Sequence, residues 1–404
     1  MKVLLFNQFF PPDGAPTGEQ LADVAEALLK EGAEVTVVCS RSRYAEFEGR
    51  PAPAVKIVRV PGLPFGRDTA ARLSSYGSYL LAAAWHGWRM PRADVVVTMS
   101  TPPMLALVGA VIKALRGSRH VMWEMDLYPD VAIALGVIRP EAIWTRALKA
   151  LAQAARRKAD AIIVPGECMR RKLLGVGIPA ARVHTAENWA DEAPSRPRPR
   201  GQSGPLNILY AGNLGLSHEI DTICRVVEAS WGNGRLRFVF SGGGALRPKL
   251  EGFCRLKRLD HVSFLPYQSQ VGQSELLAEA DVGLVTQRSE TAGMLVPSKI
   301  YRLMGAAIPV LFIGPGESQA AQSILRHKCG WQFECGDWQG ILDQLYRLDE
   351  SRELIVEAGL RGRQAFLQTY NHHAGAARVV EVIQRVAAGD LVAAREESQC
   401  HSAT

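Results

Sequence analysis

Lys299 stands in the run Gly293-Met294-Leu295-Val296-Pro297-Ser298-Lys299-Ile300, where a loop passes into a short helical pattern that stops at Gly305. A helix N-terminus presents unpaired N–H groups and the positive end of the backbone dipole, and a lysine there adds a full charge. That chemistry suits a diphosphate. A second stretch, Ala211-Gly212-Asn213-Leu214-Gly215-Leu216-Ser217-His218, lies between a strand pattern and a helix pattern, another place where backbone N–H groups meet phosphate. His218 adds positive charge there only when protonated. The second stretch also fits a plain turn between strand and helix. Ser241-Gly242-Gly243-Gly244 carries three glycines, whose conformational cost makes sense where a ligand approaches the backbone. Tyr267, at the end of another strand pattern, can lie against a nucleobase or simply close the strand.

Carboxylates form a separate group. In Trp123-Glu124-Met125-Asp126-Leu127-Tyr128-Pro129-Asp130, Glu124 and Asp126 are candidates for holding sugar hydroxyls or taking a proton. A helix-capping or solvated acidic loop is the other reading. The loop Phe9-Phe10-Pro11-Pro12-Asp13-Gly14-Ala15-Pro16-Thr17-Gly18 is stiffened by prolines, while Gly14 and Gly18 allow close approach of a ligand. It is not Gly-x-Gly-x-x-Gly, which argues against a nicotinamide or flavin cofactor. No Asp-x-Asp metal motif and no nucleophile–base pair stand out, so the sequence requires neither a metal nor a covalent intermediate.

Two αβ-alternating halves must position these residues. Residues 2–7, 35–39, 56–60, 94–99, 120–124, 161–165 and 183–185 read as strands, with helices at 17–31, 104–115, 143–158 and 167–174. Residues 191–205 are rich in Pro, Arg, Gly and Ser and read as a linker. Alternation restarts with strands at 207–211, 236–241, 262–265, 282–286, 310–313 and 330–333. Helices are expected at 219–230, 246–256, 273–280, 318–327, 338–348, 351–369 and 373–386. The expected class is α/β, two doubly wound Rossmann-like domains facing a central cleft at the strand C-terminal ends. The bounds are 1–192, a linker at 193–205, 206–370, a terminal helix at 371–388 returning to the first domain, and a disordered tail at 389–404.

The 404 residues are too many for one ordinary core, and 47% hydrophobic with 22% charged residues is a globular composition. The formal net charge of +7 fits a solvated basic surface, an anionic substrate or an anionic membrane face. Without a Lys/Arg run interleaved with aromatics, nucleic acid is not an expected partner. Seven scattered cysteines lack metal-ligand spacing and read as reduced, which favours the cytoplasm. The N-terminal apolar run is too brief for a signal peptide, and no run of about 18 apolar residues is present. Arg67, Arg72, Trp85, Trp88, Arg89 and Arg92 flank the apolar stretch 76–84, which suits contact with the inner face of the cytoplasmic membrane or an ordinary helix packed on the sheet.

In this order and placement the motifs resemble family 4 glycosyltransferases of the GT-B fold. Asp126-Leu127-Tyr128-Pro129-Asp130, Gly212–Gly215 and the Pro297-Ser298-Lys299 helix are similar to the subgroup that builds colanic acid, O-antigen and other bacterial exopolysaccharides. The resemblance implies a retaining, metal-independent transferase without a resident cofactor, whose donor is a nucleotide-diphosphate sugar. The acceptor would be a sugar or a polyprenyl-diphosphate-linked sugar. It implies donor contacts at Gly14, Gly212, Asn213, Gly215, His218, Gly243, Tyr267, Met294, Leu295, Val296, Ser298, Lys299 and Arg302. Asp126, Glu124 and Lys299 would be the catalytic group. The chain departs from the common pattern: Asn213 and His218 stand where most members carry Arg and Lys, and Met294 and Arg302 where they carry glutamates. Lys299 is then the main fixed charge for the diphosphate. A sugar-nucleotide epimerase of the same architecture and a non-catalytic nucleotide-sugar-binding subunit are the alternatives.

Overall fold

The computed structural model describes residues 1–44, 49–66, 68–192, 204–268 and 270–390. Most of the expected linker (193–203), most of the expected tail (391–404) and Arg67 lie outside them. The chain forms two compact units, one of Met1–Glu187 together with the segment from His372 onward, the other Asn188–Asn371.

In the first unit β1 (Lys2–Phe6), β2 (Glu34–Ser40), β3 (Lys56–Val60), β4 (Val95–Met99), β5 (Arg119–Trp123), β6 (Ala161–Val164) and β7 (Val183–Thr185) form one parallel sheet in the order β3-β2-β1-β4-β5-β6-β7. The central strand β4 is buried along its whole length because helices cover both faces. Between them run α1 (Pro16–Lys30), α2 (Thr69–Arg89), α3 (Ala106–Arg116), the short α4 (Asp130–Ala134), α5 (Ile143–Lys158) and α6 (Glu167–Gly175). Periodicity did not single out α2 as a continuous helix, because Gly77 and the serines around it dilute its apolar stripe. Asp68 caps it by accepting from the Ala71 N–H. Tyr79 and Ala83 are its buried face, packed with Phe6 and Val96, and the Tyr79 hydroxyl donates to Val38 O at 2.8 Å.

The second unit repeats the plan. Its strands β8 (Leu206–Ala211), β9 (Leu236–Ser241), β10 (Val262–Leu265), β11 (Val282–Thr286), β12 (Val310–Ile313) and β13 (Gly330–Phe333) are parallel, in the order β10-β9-β8-β11-β12-β13. Its helices are α7 (Asp221–Ala229), α8 (Arg247–Lys257), α9 (Gln270–Glu279), α10 (Lys299–Gly305), α11 (Gln319–His327), α12 (Trp338–Glu350) and α13 (Glu353–Ala365). Strand alternation divides the core: Ile208 and Tyr210 face one helix layer, and Leu209 faces the other beside Ile300 and Met304. The helix expected at 351–369 gives way after Ala365 to a π-helical turn at Phe366–Tyr370. A final helix, α14 (His372–Ala388), belongs to the first unit, where it packs on α1 and over β4, β5 and β6.

Among the described residues no helix is long and apolar enough to cross a membrane.

Candidate active site

In the second unit the loops after β8, β9 and β11 meet at the C-terminal edge of the sheet. The first two are zipped together through their backbones: Gly212 N donates to Ser241 O at 2.8 Å, Leu214 N to Gly243 O at 2.7 Å and Leu246 N to Leu214 O at 3.0 Å. Contact this close is why the glycines are there. A Cβ on Gly242 would sit 2.1 Å from Gly212 O, and Gly242 also holds a left-handed φ of 123°. The sequence reads the glycine run as room for a ligand; the structure gives it a nearer cause, the close packing of one loop backbone on the other.

Gly212 has a second role. A Cβ there would lie 2.6 Å from Lys299 Cε, so the bare glycine admits the lysine stem. Lys299 begins α10, and its partly buried ammonium donates to Asn213 O and to His218 Nε2, both at 3.3 Å. It also lies 5.2 Å from the centre of the Tyr210 ring, whose hydroxyl donates to the same Asn213 O at 2.7 Å. Burial brings the Lys299 pKa down from 10.5 to about 8.

The geometry settles the state of His218. Its Nδ1 lies 2.9 Å from Thr286 O, an atom that only accepts, so Nδ1 carries the proton and the Nε2 lone pair receives Lys299. Burial first, and then the charge of Lys299, lowers its pKa to about 3. His218 is therefore a neutral acceptor that orients the lysine. It does not supply the positive charge that a protonated ring would.

Asn213, Gly215, Gly243 and Tyr267 lie around the same point. The exposed Tyr267 ring rests on Gly243, where a Cβ would come within 2.9 Å of it, and its hydroxyl reaches Asn213 Oδ1 at 3.4 Å. Met294, Leu295 and Val296 form the approach to α10. Val296 is buried, Met294 and Leu295 are half-buried, and Ser298 is exposed and makes no side-chain cap bond. The buried Gln287, which no motif flagged, donates to Thr291 O at 3.3 Å and Leu295 O at 3.4 Å and so fixes this loop. Arg302, one turn into α10, donates to Gln273 Oε1 on α9. Gly14 belongs to the other unit, half-buried in the loop between β1 and α1.

The first unit holds the carboxylates at the end of β5. Glu124 is buried and faces the guanidinium of Arg156, itself 1% exposed, with Nε at 3.0 Å from Oε2 and Nη2 at 3.1 Å from Oε1. Arg156 also donates to Tyr128 O at 3.0 Å and lies 3.7 Å from Asp130, which pairs with Lys149 at 3.4 Å. Burial pushes the Glu124 carboxyl up and Arg156 opposes it. Glu124 is thus committed to an internal ion pair that shapes the loop. Nothing in the sequence marks Arg156 as its partner, because it reads as one more charge in the basic end of α5.

Among the described residues Asp126 has no such counter-ion. Burial alone raises its pKa from 3.8 to about 6. It lines a cavity of about 20 Å³, room for about one water, with Thr98, Ser100, Met104 and Tyr128. Met104 holds a φ of 69°, an uncommon left-handed backbone for an L residue. Ser100 Oγ accepts from the Met125 N–H at 3.1 Å and steadies the turn that carries Asp126.

Residues 17–189 match the glycosyl transferase 4-like domain. The probable glycosyltransferase WbjE of Pseudomonas aeruginosa is 28% identical over 282 residues, covering 65% of this chain and 68% of that protein. The putative colanic acid biosynthesis glycosyl transferase WcaI of Escherichia coli K12 is 24% identical over 339 residues, 75% of this chain and 81% of its own length. Among solved structures, Anabaena HepE in complex with UDP and glucose superposes with a TM-score of 0.70 at 13% identity, covering 95% of this chain and 99% of that one. Residues 17–189 thus resemble the glycosyl transferase 4-like domain, the chain is similar to these two curated glycosyltransferases, and its two Rossmann-like units share the GT-B fold.

Proposed function

We propose that the protein transfers a sugar, with retention of anomeric configuration and without a metal ion, from a nucleotide-diphosphate donor held by the second unit. The acceptor is a sugar or a polyprenyl-diphosphate-linked sugar bound by the first unit. The observation that carries this reading is Lys299, a desolvated ammonium held by Asn213 O and His218 against a glycine loop. The backbone N–H groups of Asn213 and Gly215 donate to no protein acceptor among the described residues and are available to phosphate oxygens. As the sugar–phosphate bond breaks, negative charge grows on the departing diphosphate. Donors already oriented toward it stabilise that charge without reorganising. The leaving phosphate oxygen takes the acceptor proton, so no enzyme nucleophile is required. Tyr267 supplies an exposed ring for the base.

In the first unit Asp126, poised near pH 6, receives a hydroxyl of the acceptor or of the reacting sugar, while Glu124 and Arg156 hold its loop in shape. The names of the curated relatives support an acceptor from polysaccharide or lipopolysaccharide assembly, and the HepE complex supports a UDP-sugar donor.

A thermal-shift screen of UDP-, GDP-, dTDP- and ADP-sugars tests the donor site. One class should stabilise the wild-type protein and fail to stabilise Lys299→Ala. Transfer with the selected donor should survive EDTA and give product of the donor's anomeric configuration by NMR. Epimerisation of the donor without any acceptor would overturn the transferase reading. Equal stabilisation of wild type and Lys299→Ala would remove Lys299 from the diphosphate.

A further inference from the structure

We infer that the first unit carries an anion subsite of its own, in a cavity beside Arg41 and Arg59, and that it takes the diphosphate of an acceptor whose sugar lies along an aromatic row leading to Asp126. The inference rests on the transferase reading, in which the first unit binds the acceptor. The cavity opens where the C-terminal ends of β3, β2 and β1 lie side by side. It measures about 250 Å³, more than ten times the cavity beside Asp126. Arg41, Arg43, Arg59, Ser40, Ser42 and Asp13 line it.

The turn that carries these cations is fixed from both sides. Ser40 N donates to Gln8 O at 2.8 Å, beyond β1, and Arg41 N donates to Val60 O at 3.0 Å, at the end of β3. Ser42 N donates to Ser40 Oγ at 3.1 Å. The guanidinium of Arg59 donates to Pro11 O at 2.7 Å and to Cys39 Sγ at 3.6 Å, and Arg41 Nε donates to Arg59 O at 3.2 Å. All three acceptors are neutral. Among the described residues neither Arg41 nor Arg59 pairs with a carboxylate. Asp13 is turned to the loop backbone, where it accepts from Tyr44 N at 2.5 Å. Forked guanidinium donors match the oxygens of a phosphate, and two of them beside each other suit a diphosphate.

Aromatic rings lead away from the cavity along the same edge of the sheet. Tyr44, next to Arg43, is 49% exposed, and its ring centre lies 5.5 Å from that of Phe65. Phe65 lies 5.8 Å from Tyr76, and the buried Phe9 backs the row at 5.3 Å from both Tyr44 and Phe65. The row ends at Tyr128, whose phenol is held well above its usual range by burial first and then by Asp126 and Tyr76, so both lie near it. Tyr128 and Asp126 line one cavity. From β2 to β5 is three strand spacings, about 14 Å, and the row bridges that interval. The face of an aromatic ring is electron-rich and packs on the C–H face of a pyranose. An acceptor that offers a hydroxyl at Asp126 and a diphosphate at Arg41 and Arg59 lays its sugar on these rings. An uncharged sugar chain would leave the two arginines without a partner.

Isothermal titration of the full chain with inorganic pyrophosphate tests the subsite without turnover. Wild type should bind at two sites, one at Lys299 and one here. Lys299→Met should keep the second. Arg41→Gln with Arg59→Gln should keep the first and weaken the second by roughly tenfold or more. Arg41→Gln alone spares the Arg59 contacts to Pro11 and Cys39, and should weaken the second site several-fold while melting near wild type. Farnesyl diphosphate should displace pyrophosphate from the arginine-dependent site, as a lipid-linked acceptor would, and orthophosphate at equal concentration should not. A single site that Lys299→Met abolishes would overturn this inference and leave the donor reading standing. A single site that survives in Lys299→Met and falls with the arginines would do the reverse. Unchanged binding by the folded arginine variants, displacement by orthophosphate, or no displacement by farnesyl diphosphate would also overturn it.

Discussion

Replacing Lys299 by Met should make the empty protein more stable and a poorer enzyme at once. The lysine's pKa falls from 10.5 to about 8 because folding strips water from its ammonium. At neutral pH that depression corresponds to about 3 kcal/mol of stability lost to the charge. Methionine keeps most of the stem beside Gly212 and removes the charge. It also leaves His218 Nε2 without its donor, which costs about 1–2 kcal/mol. The net gain is about 1–2 kcal/mol, or roughly 2–8 °C in the melting of a unit the size of Asn188–Asn371. The sign has a pH signature. The penalty on the wild type is complete below the folded pKa of about 8 and fades as pH rises toward 10.5, so the variant's advantage should shrink over that window. A charge-assisted bond to the diphosphate is worth about 2 kcal/mol, so donor affinity should fall about 30-fold. Differential scanning calorimetry of the ligand-free protein and isothermal titration with the donor measure the two effects. A variant that melts below wild type at pH 7 and binds donor equally well would refute the reasoning.

Other perturbations follow from the same packing. His218 has a folded pKa of about 3 against 6.5, so the second unit should lose about 2 kcal/mol between pH 7 and pH 5 as the unfolded ring takes up a proton. In His218→Gln, urea denaturation at the two pH values should show that loss greatly reduced. Arg156→Met should destabilise the first unit by about 3–5 kcal/mol by stranding Glu124, and adding Glu124→Gln should restore much of it. A simple sum of the two single effects would argue against the pair. Gly242→Ala should cost about 3 kcal/mol or more and abolish donor binding, because the new methyl meets Gly212 O and the φ of 123° disfavours it. Near-wild-type melting of that variant would contradict the zipped-loop geometry.

Much of the architecture was legible in the chain because a parallel sheet covered on both faces leaves almost unbroken apolar runs. Val95–Met99 and Val282–Thr286 announce themselves in this way. The Ile143–Lys158 helix was equally plain from its stripe and its basic end. What escaped the sequence depends on pairing across distance. Nothing local says that Glu124 will be claimed by a guanidinium 32 residues later, or that Gln287 will hold the Pro-Ser-Lys loop from inside. The state of His218 was open for the same reason, since it is decided by the Thr286 carbonyl 68 residues away. Glycine runs signal close approach, but the sequence does not say to what. Here the neighbour of Gly242 is another piece of backbone.

The position of α14 has a consequence for how the protein is made. Val379, Val380, Ile383 and Val386 are buried in the first unit, and Arg119 donates to Val386 O at 2.8 Å. When the ribosome has finished β7, the sheet exists but α1 and the strands beneath it still lack their cover. That apolar surface stays open throughout synthesis of the next 184 residues, which constitute the whole second unit. The second unit can therefore mature first, although it is encoded last among the large parts.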